Sequence, residues 1–87
     1  MIDHFAKLGA LFASLLNDGE CELSASEREE VQHFIDHDEY GIALETLVGI
    51  YVEERKVPSN KIMSLIVSLA EAMEMNPESL WERAPHK

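Results

Sequence analysis

His33 and His37 stand four residues apart, the spacing at which two imidazoles on one helix can share a metal ion, and Asp36 lies between them. A zincin places glutamate directly after its first histidine as general base, and Phe34 occupies that position. An inverted zincin needs H-x-x-E-H, and Asp36 is one methylene short of that acid. A catalytic zinc also needs a third ligand on rigid structure and an open coordination position. No metal or other cofactor is therefore expected, and the stretch reads as a solvated helix face. Carboxylates are abundant, but acid and base catalysis needs two groups whose surroundings drive their pKa values apart, and most acids here fall on exposed faces or in turns. The single cysteine, Cys21, sits between Glu20 and Glu22, where negative neighbours disfavour a nucleophilic thiolate. The four glycines, Gly9, Gly19, Gly41 and Gly49, are too scattered to form a phosphate-binding loop. The expectation is a protein that is not an enzyme.

Charge is more informative than any of these motifs. The chain of 87 residues carries 7 basic and 17 acidic side chains, a formal charge of −10. From Asp18 to Glu45 ten acids face one base, Arg28, whereas residues 1–17 balance and residues 46–87 carry six acids and five bases. Nine of the ten excess charges thus fall in one third of the sequence. Direct nucleic-acid binding is disfavoured, because Lys and Arg supply phosphate affinity. Exposed acids do keep small proteins soluble. Their concentration nevertheless costs the compact state self-repulsion, while a focused field attracts and accelerates a cationic partner. The expected binding surface comprises Glu29, Glu30, His33, Asp36 and His37 on one helix, Asp38 and Glu39 in the following turn, and Tyr40 as an amphipathic aromatic anchor.

These residues need a scaffold, and the apolar periodicity supplies one. A single domain spanning 1–87 is expected, since half this length could not build its own core. With one cysteine there is no intramolecular disulfide, so a reducing, cytoplasmic setting and packing alone are expected. Phe5, Leu8, Phe12, Leu15 and Leu16 recur at helical spacing and predict a first helix from about Ile2 to Leu16, with Phe5 on its core face. The run Leu8 to Leu16 reads as a core helix rather than a secretory leader, because Asp3 offsets Lys7 and Asn17-Asp18-Gly19 closes it. No stretch approaches the roughly 20 apolar residues of a membrane span. Glycine or asparagine in the left-handed conformation is expected to end this helix.

A second helix starts near Ser24 or Ser26, each followed three residues later by glutamate in a capping-box pattern, and its apolar face is Val31, Phe34 and Ile35. The third, about Tyr40 to Arg55, is apolar over more than half its circumference and leaves Ile42, Glu45, Thr46, Gly49 and Glu53 as an outward stripe, which predicts the most buried helix. Val57-Pro58 is expected to stop it. Ser59 or Asn60 caps a fourth helix with Ile62, Ile66, Leu69, Ala70 and Met73 inward, and Asn76-Pro77-Glu78 opens a short last helix carrying Leu80 and Trp81. Met63, Met73, Met75 and Trp81 read as core and its edge, and the tail from Ala84 to Lys87 as frayed. The fold class is all-α: a bundle of four helices plus a short C-terminal one.

Between Leu23 and Trp81 the sequence resembles the small immunity proteins of the Maf type, which accompany bacterial polymorphic toxins and contact-dependent growth inhibition systems. The resemblance rests on Glu39-Tyr40-Gly41-Ile42-Ala43-Leu44-Glu45-Thr46-Leu47, the acid-rich helix before it, Val57-Pro58 at the next break and the Met-rich stretch leading to Trp81. Asp38 stands where the pattern has glycine. What the resemblance implies is a non-catalytic domain that neutralises a cognate toxin's C-terminal domain, often a nuclease. A nuclease presents a cationic surface to its substrate, so the acidic segment points the same way. The alternative is a small acidic adaptor or regulatory subunit that docks on a cationic protein unrelated to toxins. The oligomeric state of the free chain is left open.

Overall fold

A computed structural model describes residues 4–83 and shows five helices: α1 (His4–Leu16), α2 (Ala25–Asp36), α3 (Tyr40–Glu53), α4 (Asn60–Ala72) and α5 (Pro77–Arg83). No strand occurs among the described residues, and the all-α expectation of four helices plus a short one holds. Ile2 and the tail Ala84 to Lys87 lie outside the described residues. Helix α1 packs on α4 and α2 on α3, while α5 closes the end against α3 and α4.

Helix α3 carries most of the core: Ala43, Leu44, Leu47, Val48, Gly49 and Tyr51 are all buried. Leu8, Phe12, Leu15 and Leu16 from α1 and Ile62, Ile66, Leu69 and Ala70 from α4 complete it, with Val31 and Leu80 from the flanks. Three expectations about faces are corrected. Phe5 is 54% exposed, because it lies a turn outside the packed stretch of α1 and its ring rests on Tyr40. Helix α2 buries Val31 alone; Phe34 and Ile35 are half-buried at the core's edge, because α2 leans on one neighbour. Gly49 and Thr46, assigned to the outward stripe of α3, are buried and half-buried where α2 runs alongside, whereas Ile42, Glu45 and Glu53 remain exposed.

The caps decide where each helix begins and ends. Ser24, not Ser26, is the N-cap of α2: its hydroxyl accepts the Glu27 N–H at 3.1 Å and Glu27 accepts the Ser24 N–H at 2.8 Å, the reciprocal pair of a capping box. Ser59 accepts the Ile62 N–H, and Asn76 accepts the Glu78 N–H at 2.9 Å beside Pro77. Helices α2, α3 and α4 each end in a Schellman turn, in which the residue two places beyond the C-cap donates to the carbonyl five positions before it. Glu39 N–H reaches the Phe34 carbonyl at 2.8 Å, Lys56 N–H the Tyr51 carbonyl at 2.8 Å, and Met75 N–H the Ala70 carbonyl at 2.7 Å. The left-handed residues of these turns are Asp38 (φ 58°), Arg55 (φ 56°) and Glu74 (φ 58°), and none is glycine. Helix α3 consequently stops at Glu53, before Val57-Pro58 is reached. Gly19 has no positive φ either: the α1–α2 turn is held instead by Asp18, whose carboxylate accepts the Glu20 N–H at 2.8 Å.

Candidate partner-binding surface

The connection between α1 and α2 takes up most of the positive charge near the acidic segment. Lys61 pairs with Asp18 at 2.7 Å, which holds the Asp18 carboxyl below its usual range with help from the Glu20 N–H and raises the Lys61 ammonium. Lys56 donates to the Glu22 carbonyl and pairs with Glu54 at 2.8 Å. Arg28, the one base inside the acidic segment, folds back to the carbonyls of Leu23 at 3.3 Å and Cys21 at 3.4 Å. The Glu22 N–H donates to the hydroxyl of the fully buried Tyr51 at 3.0 Å, so this loop is stitched to α3. Cys21 is buried beneath it; burial pushes its thiol up, with Arg28 opposing. Desolvation, rather than the acidic neighbours Glu20 and Glu22, is thus the main cause that disfavours its thiolate.

With those cations engaged, the outer side of α2 is left as a carboxylate face. Glu29, Glu30, His33, Asp36 and His37 are all exposed on α2 and its C-cap, and Asp38 and Glu39 are exposed in the turn. No ion pair reaches Glu29, Glu30, Asp36, Asp38 or Glu39 among the described residues; Asp36 accepts a hydrogen bond from Gln32 at 2.9 Å. The imidazoles of His33 and His37 meet edge to face with centroids 4.6 Å apart. No group of three or more His, Cys, Asp or Glu side chains is placed to hold a metal among the described residues. Tyr40, half-buried at the start of α3, sits between Phe5 (5.7 Å) and the core ring of Phe12 (6.0 Å), so its orientation is set from both sides.

All eight residues assigned to the surface from sequence are thus exposed or half-exposed, but they do not form one flat patch. Glu30 turns into a groove of about 430 Å³ between α2 and α3, whose walls also hold Glu27, Glu45 and Glu53 and whose floor is Thr46, Gly49 and Ile50. Helical periodicity puts Glu45 and Glu53 on the outward stripe of α3 but does not join them to Glu30. The signal was available: a helix stripe of acids facing a neighbouring helix of acids requires only that α2 and α3 pack side by side. Comparison of the chain with protein-family models, with characterised proteins and with solved structures finds no match. Among the described residues no helix is long and apolar enough to cross a membrane.

Proposed function

We propose that this chain is an immunity protein: a non-catalytic domain that binds and neutralises a basic toxin domain, a nuclease, in the cytoplasm of the producing cell. The observation that carries the reading is the carboxylate face of α2 and the α2–α3 turn, which has no ion-pair partner among the described residues while Arg28, Lys56 and Lys61 are engaged at the neighbouring loop. A cationic nuclease surface complements that face, and competition for it blocks the polyanionic substrate. The groove between α2 and α3 extends the face, with the carboxylates of Glu30 and Glu45 to receive Lys or Arg and Ile50 to receive their aliphatic stems. The resemblance of the Glu39 to Leu47 segment to Maf-type immunity proteins supports the same conclusion.

Co-purification with the product of the adjacent gene tests the partner, and association kinetics test the surface. A 1:1 complex burying roughly 1,200 to 2,000 Å² is expected. Glu30→Lys and Asp36→Lys are expected to slow association and flatten its salt dependence, whereas Glu74→Lys, at the end of α4, is not. If both α2 variants bind and protect like wild type at physiological salt, the acidic face is not the interface. A stable cationic partner without toxin activity would instead make the chain an adaptor.

A further inference from the structure

The opposite character appears at the other end of α3. Tyr51 and Val52 of α3, Val57 and Pro58 of the α3–α4 loop, Met63 of α4 and Trp81 of α5 line a shallow, open apolar cleft of about 410 Å³, with Arg55 and Lys56 at its rim. That volume falls toward the low end of the roughly 300 to 1,000 Å³ of small-molecule sites, which are mostly apolar with a few placed polar groups. Val57, on the lip, is 84% exposed, more than any other large hydrophobic among the described residues. Lys56 is already committed to Glu54 and the Glu22 carbonyl. The Arg55 guanidinium has neither hydrogen bond nor ion pair among the described residues. Its backbone is left-handed at φ 56°, as at the equivalent positions of the other two Schellman turns, Asp38 and Glu74.

We propose that this cleft binds a small amphipathic monocarboxylate, its acyl or aryl body on Val57, Pro58, Met63 and Trp81 and its carboxylate on Arg55. A guanidinium grips a carboxylate through two parallel hydrogen bonds, which gives the head group direction as well as charge. The single guanidinium at this rim, in a chain of charge −10, suits a single negative charge better than a phosphate dianion.

Trp81 is the chain's one tryptophan and lines the cleft, so its fluorescence reports on this site. The full chain is titrated with decanoate below its micellar concentration, beside decanol and decyltrimethylammonium. Saturable binding of decanoate about tenfold tighter than decanol is expected, with the cationic amphiphile weakest. Arg55→Gln, which keeps a side chain in the same backbone conformation, is expected to bring decanoate level with decanol. Val57→Ser, at an exposed position that does not support the fold, is expected to weaken both. Equal binding of decanoate and decanol, an unaltered response in Arg55→Gln, or indifference to Val57→Ser with helical circular dichroism intact would each overturn the assignment.

Discussion

Replacing the left-handed residues at the helix ends by glycine separates backbone strain from charge. Asp38, Arg55 and Glu74 hold φ of 58°, 56° and 58°. An L-residue pays about 1 to 2 kcal/mol in that region. Glycine escapes this but loses about 0.5 to 1 kcal/mol more backbone entropy on folding, leaving a net gain of about 0.5 to 1 kcal/mol. Charge then orders the three sites, since the C-terminal end of a helix favours cations by about 0.3 kcal/mol or more at exposed positions. Glu74 has the wrong sign, so Glu74→Gly is expected to gain about 1 kcal/mol from both effects. Arg55 has the right sign, and Arg55→Gly should gain about half as much. Asp38 has the wrong sign but tolerates the left-handed region better, which places Asp38→Gly near Arg55→Gly. The caps end different helices and share no hydrogen bond, so the triple variant should gain about 2 kcal/mol, a large part of the 5 to 15 kcal/mol of a small domain. Urea denaturation reads this as a shifted midpoint at constant slope. Glu74→Gln is the control: it removes the charge, keeps the strain, and should gain only a few tenths. If Glu74→Gly is no more stable than Glu74→Gln, the strain argument fails.

Tyr51→Phe removes the acceptor of the Glu22 N–H, and the part-buried donor left behind should cost about 1 to 2 kcal/mol in urea denaturation; an unchanged midpoint would mean that water replaces the hydroxyl. Cys21, buried with a raised thiol, is expected to react with iodoacetamide at pH 8 at least about a thousandfold more slowly than free cysteine, because labelling must await opening of the fold; labelling at the free rate would contradict its burial. The Asp18 carboxyl is depressed in the fold by Lys61 and then by the Glu20 N–H, so its contribution is present above the unfolded carboxyl pKa of about 3.9 and is lost as pH falls through the lower folded value. Asp18→Asn should therefore lower the denaturation midpoint at pH 6 and leave it nearly unchanged at the acid end; an equal loss at both would remove the charge from the explanation.

Much of the fold is legible in the sequence because helical periodicity and capping chemistry are local. The buried positions of α4 and, Gly49 apart, of α3, a cap at Ser59 or Asn60 and the Asn76-Pro77-Glu78 start all follow from spacing and side-chain type. Helix ends are less legible, since glycine and proline, the commonest terminators in sequence, do not end α2, α3 or α4 here. The chain instead forces aspartate, arginine and glutamate into the left-handed position, and only the six-residue hydrogen bonds of the folded turn show it. Phe5 was misplaced because periodicity names a face without saying where along it the neighbouring helix ends. The carboxylates of α2 were legible as a charge run. The groove joining Glu30 to Glu45 and Glu53 was not, because it depends on which helices pair. The Trp81 cleft likewise draws on three helices and a loop, and no linear pattern brings those residues together.

If the carboxylate face is held in reserve for a cationic partner, the free protein carries its repulsion, and salt should relieve it. Two ion pairs, Asp18–Lys61 and Lys56–Glu54, are weakened by screening, but the excess of ten negative charges outweighs them. Raising ionic strength from about 0.01 M to 0.5 M shortens the screening length from about 30 Å to less than 8 Å, enough to uncouple α2 from the acids of α3 across the groove. The thermal midpoint should rise over that range, even with a non-stabilising salt such as sodium chloride. Glu29→Gln and Glu30→Gln should each raise the midpoint at low salt by the equivalent of a few tenths of a kcal/mol and lose that advantage at high salt. Glu30, in the groove, should show the larger effect. A midpoint that falls with salt would mean that the ion pairs around the α1–α2 loop dominate, and that the acids of α2 are spaced widely enough to cost the free fold nothing.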